Sequence, residues 1–346
     1  MSKRIGIIGC GAIAQACHIP GYVRAGFTVA AIADPRPEVL AELRERKLPT
    51  PTLYADHQKM LAAEPFDAVS ICTPNVTHVP IFLDCVGKVP TVLLEKPIAI
   101  DLPSALTMQA AARTHGTRVM IAFSHRFSSI CRTVKDALTA GKVGKPYHLR
   151  IRFAHMGPIP GWARTDWFFK PELAGGGALL DMGIHAFDLV RWFAGDATAV
   201  SARVATLCKP IAVDDNAIAI IELGPTCLAT VEVGWTSPAG FVGVEVMGDK
   251  GAIIADYNAD RVELITGGRR PDGSDNAGKE VLYAGKGTSG WEGQMASLTQ
   301  AMLSGSPLSP TMDDGLAALR LALAAADSSR RGVRCALDPL GKAAHS

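Results

Sequence analysis

Eight cysteines are spread along the 346 residues, and no two of them form a C-x-x-C pair. Zinc and iron–sulfur sites need thiolates, or thiolates with imidazoles, at short spacing, so no metal is expected. Scattered, reduced and mostly buried thiols are expected instead, as in a cytoplasmic protein. No block of Lys or Arg occurs, and the formal net charge is only +2. Nothing therefore marks a nucleic acid or another polyanion as a partner. No stretch reaches the apolar length expected of a membrane span. The start Met1-Ser2-Lys3-Arg4 followed by Ile5-Gly6-Ile7-Ile8 has the order of a short signal peptide. Glycines break that run at once, so it is expected to be a strand rather than a leader. Internal repeats and low-complexity segments are also missing.

What the chain does have is 48% hydrophobic and 20% charged residues, over a length that suits two domains. In the first part, apolar strands (4–8, 27–33, 68–72, 91–94 and 119–123) alternate with helical stretches (12–25, 36–46, 76–86 and 102–115). Asp101 is placed to cap the last of these helices and Gly116 to stop it. Strands separated by helices predict right-handed crossovers and a doubly wound parallel sheet, a Rossmann domain over residues 1–123. Beyond residue 123 the rhythm changes. A helix (130–140), a strand (148–155) and a long aromatic-rich loop precede the triplet Gly175-Gly176-Gly177 and an apolar helix to about Ala194. Successive strands follow from Val200 to about Thr266, with late helices near 292–303 and 313–329. Strands without intervening helices predict an α/β domain over 124–346 with a large, open, mainly antiparallel sheet.

Gly9-Cys10-Gly11-Ala12-Ile13-Ala14 has the spacing G-x-G-x-x-A, follows a strand and opens a helix. Glycines there let backbone approach a pyrophosphate, and the helix start offers free N–H groups to it. Asp34 ends the second strand, where a carboxylate can bind ribose hydroxyls. NAD is the expected cofactor. Arg36 keeps NADP open, being either a ligand for a 2′-phosphate or an ordinary solvated charge.

Thr73-Pro74-Asn75, with His78 beyond it, follows the strand at 68–72, and Glu95-Lys96-Pro97 follows the next. Ligands of doubly wound sheets sit outside the carboxyl ends of the strands, so both segments are expected at the cofactor. In the second half, Asp181, His185, Asp188 and Trp192 form one stripe along a helix that is otherwise apolar. Such a stripe faces a cavity or a partner, or closes into an internal Asp–His pair.

Together these segments resemble the glucose–fructose oxidoreductase/inositol dehydrogenase family, Gfo/Idh/MocA. The resemblance is carried by Gly6-Ile7-Ile8-Gly9-Cys10-Gly11 with Asp34, Cys72-Thr73-Pro74-Asn75 with His78, Glu95-Lys96-Pro97, and Phe123-Ser124-His125-Arg126-Phe127. It ends with Gly175-Gly176-Gly177-Ala178-Leu179-Leu180-Asp181-Met182-Gly183-Ile184-His185. It implies an active site between two domains, with Lys96, Asp181 and His185 at the catalytic positions. His125 stands where many members carry Asn.

Oxidising a secondary alcohol requires a base for its proton while hydride leaves the carbon. His185 and Lys96 are both candidates for that base, and Asp181 could orient His185 or the substrate. His125, Arg126, His155, Trp162, Arg164, Asp166 and Trp167 are candidate substrate contacts. Flat rings beside charges suit a polyol, although the same aromatics could pack a loop or a subunit interface. The expected enzyme is a dehydrogenase of a sugar, cyclitol or related polyol, forming a homodimer or homotetramer. An NAD-recycling hydrolase or lyase and a non-enzymatic dinucleotide sensor are the alternatives.

Overall fold

The computed structural model describes residues 2–45, 51–161, 163–238, 240–268, 273–274 and 276–337. It divides into two compact units. The first comprises Met1–Ser124, Trp162–Gly175 and Trp291–Leu319; the second comprises His125–Gly161, Gly176–Gly290 and Arg320–Ser346.

The first unit holds six parallel strands: β1 (Arg4–Ile8), β2 (Thr28–Ala33), β3 (Thr52–Tyr54), β4 (Ala68–Ile71), β5 (Thr91–Leu94) and β6 (Arg118–Ile121). Their order, β3-β2-β1-β4-β5-β6, is that of the doubly wound dinucleotide fold. All residues of β4 and β5 are buried, because a parallel sheet is covered on both faces. β3 is a short, half-exposed edge strand with no apolar run to announce it. Asp101 accepts the Ser104 N–H at 2.8 Å and so caps helix Leu102–His115, which stops at Gly116 with φ of 64°. The segment Trp291–Leu319 returns to this unit. Pro310 O accepts the Ile121 N–H at 2.9 Å, and a Cβ on Gly21 would lie 2.5 Å from Met295 Cγ.

The second unit is built on a sheet of nine strands among the described residues: β7 (Pro146–Ala154), β8 (Ala199–Ala205), β9 (Asn216–Glu222), β10 (Leu228–Gly234), β11 (Phe241–Gly248), β12 (Gly251–Asp256), β13 (Arg261–Thr266), β14 (Gly278–Ala284) and β15 (Cys335–Ala336). Their order is β14-β13-β12-β11-β7-β10-β9-β8-β15, antiparallel except where β7 meets β10. Helices Ser129–Thr139 and Ile184–Ala194 cover one face, and Phe153 and Phe187 are fully buried. On the other face residues alternate outward, and Ile218, Ile220, Leu228, Ile254 and Val281 are exposed.

Two features depart from the sequence reading. The run Pro171–Ala194 does have the length and a mean hydropathy, 1.2, of a membrane-crossing helix. Its apolar window is 83% buried inside the protein, however, which is the setting of a core helix. The first helix and the helix after the glycine triplet also each contain a π-helical turn, at Ala14–His18 and Leu179–Gly183. Such turns break the 3.6-residue period on which helical stripes are drawn, and they gather at functional sites.

Candidate active site

The ends of β1, β4 and β5 lie side by side, held by Cys72 N–H to Ile8 O at 2.8 Å and Glu95 N–H to Ile71 O at 3.1 Å. Three turns therefore share one edge of the sheet. At Gly9, φ is +82°, and a Cβ would lie 2.6 Å from both Cys72 O and Thr73 Cγ2. Only glycine fits that crossing. A Cβ on Gly11 would meet nothing within 4 Å, so the space above the turn is open. Ala12 and Ile13 open the helix there, with Ala14 buried behind them. Thr73 Oγ1 is buried beside this turn without a hydrogen-bond partner among the described residues. An open helix start next to a hydroxyl with no partner among the described residues fits a dinucleotide phosphate.

Asp34 is only 1% exposed and spends its oxygens on the protein. Oδ2 accepts the Cys10 N–H at 2.8 Å, tying the phosphate turn to the end of β2, and Arg36 holds both oxygens. Burial alone would raise this carboxyl, but the bonds from Arg36 and the Cys10 N–H outweigh it and hold it below the usual range.

His78 is fully buried. Its Nδ1 lies 2.8 Å from Pro97 O and its Nε2 2.9 Å from Thr73 O, so it sits between the turns after β4 and β5, a neutral ring donating to one of the two carbonyls. Any effect of His78 on a cofactor runs through those turns. Burial pushes its imidazole below the ordinary value, against the pull of the two carbonyls. Asn75 Nδ2 donates to Ala174 O at 2.8 Å and anchors the segment Trp162–Gly175. Lys96 is half-buried where the chain leaves β5.

In that segment, Arg164 is exposed and reaches Glu42 at 3.4 Å, while Asp166 pairs with Lys170 at 2.9 Å. Trp167 stacks on Phe168 with ring centroids 3.7 Å apart. Trp162 lies outside the described residues. Arg164, Asp166 and Trp167 thus make these contacts within their own unit, and packing of a loop was the alternative held open for the aromatic residues.

In the second unit His125 lies against His185, and His155 lies against Met182 of the helix that also carries Asp181 and His185. Asp181 and His185 are each 7% exposed. The His125 ring sits edge-on to His185 at 4.8 Å and tilts against Phe153 at 4.7 Å. His125 Nδ1 lies 3.3 Å from Tyr257 Oη. His155 Nδ1 accepts the Gly157 N–H at 2.7 Å, which leaves the proton on Nε2, 3.1 Å from the Met182 sulfur beside Asp181. The helical stripe splits into two. Its lower half, Asp188 and Trp192, is answered by Arg126, which bonds Asp188 through Nε at 2.7 Å and Nη2 at 2.5 Å and lies 5.7 Å over the Trp192 ring. Arg126 thereby braces the helix from inside, with 7% of its surface exposed.

Three residues that matter here carry no motif. Asp214 accepts the N–H groups of Gly177 at 2.8 Å and Leu179 at 2.7 Å, and so anchors the start of the Asp181 helix. A Cβ on Gly177 would lie 1.9 Å from Asp214 O, which is why that member of the triplet is glycine. Asp215 gathers the N–H groups of Leu207, Cys208 and Lys209. Tyr257 joins His125 to Cys131, with Oη 2.7 Å from Sγ. Asp214 and Tyr257 act across tens to more than a hundred residues of chain, where no spacing reveals them, and Asp215 gathers a local loop.

Comparison with known proteins agrees with both halves. Residues 3–123 match the model of an oxidoreductase family with an NAD-binding Rossmann fold, and residues 131–254 match the GFO/IDH/MocA C-terminal domain. The myo-inositol 2-dehydrogenase of Thermotoga maritima is 26% identical over 334 residues, covering 94% of this chain and 96% of that one. The D-glucoside 3-dehydrogenase of Escherichia coli is 33% identical over 193 residues, 56% of this chain and 54% of its own. The crystal structure of the WlbA dehydrogenase from Bordetella pertussis, in complex with NADH and UDP-GlcNAcA, shares the fold with a TM-score of 0.82 at 22% identity, over 98% of this chain and 99% of that one. The two family models fall in order on the two sheets, and the phosphate turn and the Asp181–His185 helix lie within them, so the chain belongs to the Gfo/Idh/MocA oxidoreductases and is an NAD-binding dehydrogenase.

Proposed function

We propose that the chain oxidises a secondary hydroxyl of a sugar, cyclitol or related polyol, with Lys96, Asp181 and His185 as its catalytic residues. The observation that carries this reading is the His125 ring edge-on to His185 at 4.8 Å, with His155 against Met182 of the same helix that holds Asp181, residue types that bind hydroxyls. When bound, NAD supplies the hydride acceptor. The hydroxyl proton must also leave, and His185 is the group to take it, imidazole being the side chain that exchanges protons near neutral pH. Lys96 donates to the reacting oxygen and stabilises the charge that grows on it. Asp181, one turn before His185, orients the imidazole or a neighbouring hydroxyl. The named activities of the inositol and glucoside dehydrogenases among its relatives support the substrate class. Eight cysteines without a disulfide suit the cytoplasm.

A screen of inositols, hexoses and glycosides with NAD, read as NADH absorbance, tests the reading. The true substrate's deoxy analogues should lose far more activity than analogues altered only in apolar bulk, because missing hydroxyls leave polar groups of the site unpaired. Turnover of linear 2-hydroxy acids as fast as any polyol would overturn it. Turnover of a glycoside with no net NADH would identify a cofactor-recycling hydrolase or lyase instead.

A further inference from the structure

His18 closes the π-helical turn that follows the Gly9-Cys10-Gly11 bend, and none of its surface is exposed. Its Nε2 lies 3.0 Å from Glu95 Oε1 and its Nδ1 3.3 Å from Cys72 Sγ. Glu95 Oε2 in turn accepts the Lys96 N–H at 3.3 Å. One buried ring therefore touches the helix of the phosphate turn, the turn after β4 and the turn that presents Lys96.

The groups on either side of the ring suit its Nε2–H tautomer. An ionised carboxylate only accepts, so the ring proton sits on Nε2 and points at Glu95. In that tautomer Nδ1 accepts, and the Cys72 thiol donates to it. Burial pushes that thiol well above its ordinary value, with the Glu95 charge adding to the effect, so it stays S–H and able to donate. Both ring nitrogens are satisfied in opposite senses, and turning the ring over would break both bonds.

We propose that His18 is a positioning residue for Lys96: by fixing the Glu95 carboxylate it sets where the Glu95-Lys96 turn leaves β5. The inference rests on Lys96 acting on the substrate, as proposed above. His78 lies against the far side of the same turn, its Nδ1 2.8 Å from Pro97 O. A misplacement of the reacting geometry by about 1 Å can cost about a hundredfold in rate, which gives such a clamp a measurable effect.

Two amide variants separate positioning from packing. Gln in place of His18 carries an N–H to about where Nε2 sits and keeps the bond to Glu95. Asn reaches only the Nδ1 position and loses it. His18→Asn is expected to lower kcat about tenfold or more, with KM and the NADH dissociation constant (by fluorescence titration) within about threefold of wild type. His18→Gln is expected to recover kcat to within about threefold. Equal losses in the two variants would make His18 mere packing, and a wild-type kcat in His18→Asn would overturn the inference outright. Lys96→Ala is assayed beside them. If it retains full activity, both the catalytic reading and this inference fail; if it is inactive while His18→Asn is not, the inference alone fails. Nitrogen-15 spectra of the histidine-labelled wild-type protein need no His18 variant to fold. The ring whose signals move in Glu95→Gln should be the Nε2–H tautomer, and an Nδ1–H tautomer would overturn the proposal.

Discussion

Arg36 reaches back two residues and holds both oxygens of Asp34, Nε to Oδ1 at 2.8 Å and Nη2 to Oδ2 at 2.7 Å. The pair carries no net charge, with its acid buried and its base half-exposed. A 2′-phosphate arriving there meets a carboxylate but also a guanidinium able to swing toward it. NAD should therefore be preferred by only about tenfold in kcat/KM, about 1.4 kcal/mol. Arg36→Ala should widen that preference by weakening NADP use. Comparing kcat/KM for the two cofactors in both proteins checks it; equal or better use of NADP by the wild type would show that Arg36 outweighs the acid.

Lys96→Ala and His185→Ala should each reduce kcat by about 10²–10⁴, the usual contribution of a general acid or base. NADH binding should stay largely intact in both. A loss below tenfold would mark the residue as structural, and a parallel loss of NADH affinity would assign it to the cofactor.

The Arg126–Asp188 pair is buried on both sides, 7% and 1% exposed. Removing one partner leaves the other charge without its counterion. Asp188→Ala or Arg126→Met alone should cost about 3–5 kcal/mol of stability in urea unfolding. The double change Arg126→Met with Asp188→Leu should cost clearly less than the sum, since no buried charge remains. Additive losses would mean that the ion pair is not coupled.

His78 gives stability a pH dependence of known sign. Its folded-state value is depressed by burial, so below about pH 6.5 the unfolded chain binds a proton that the folded one refuses. Its contribution is complete above that pH and is lost as pH falls toward the folded-state value. The midpoint of thermal unfolding should drop between about pH 7 and pH 5, and the drop should shrink in His78→Gln. An unchanged slope in the variant would assign the effect to another group.

The outer face of the second unit's sheet exposes Ile218 by 58% and Ile220 by 49% on adjacent outward positions of β9. Across it run the ion pairs Arg152–Glu232 and Arg150–Glu245, each at 2.9 Å. An apolar strip among paired charges suits burial against a second copy of the chain. Light scattering at micromolar concentration should give a dimer or tetramer, and Ile218→Asp with Ile220→Lys should shift it toward monomer. A wild-type monomer would contradict this.

The sequence alone determined the first unit's alternation of strand and helix, the open sheet of the second, and the local signals that start and stop elements, such as Asp101 and Gly116. It also determined the phosphate turn, because a glycine bend between strand and helix is chemistry within a few residues of chain. Lys96, Asp181 and His185, the proposed catalytic residues, come from family resemblance. Tertiary structure decided what those groups lean on. Asp214, Tyr257 and His18 act through contacts 35 to 132 residues apart, where no local period records them. The stripe of the Asp181 helix was visible, but only packing could divide it: Asp188 goes to Arg126, 62 residues earlier, and a π-helical turn shifts the upper half. Only packing, too, could return residues 162–175 and 291–319 to the first unit, since compactness is set by which surfaces fit rather than by chain order.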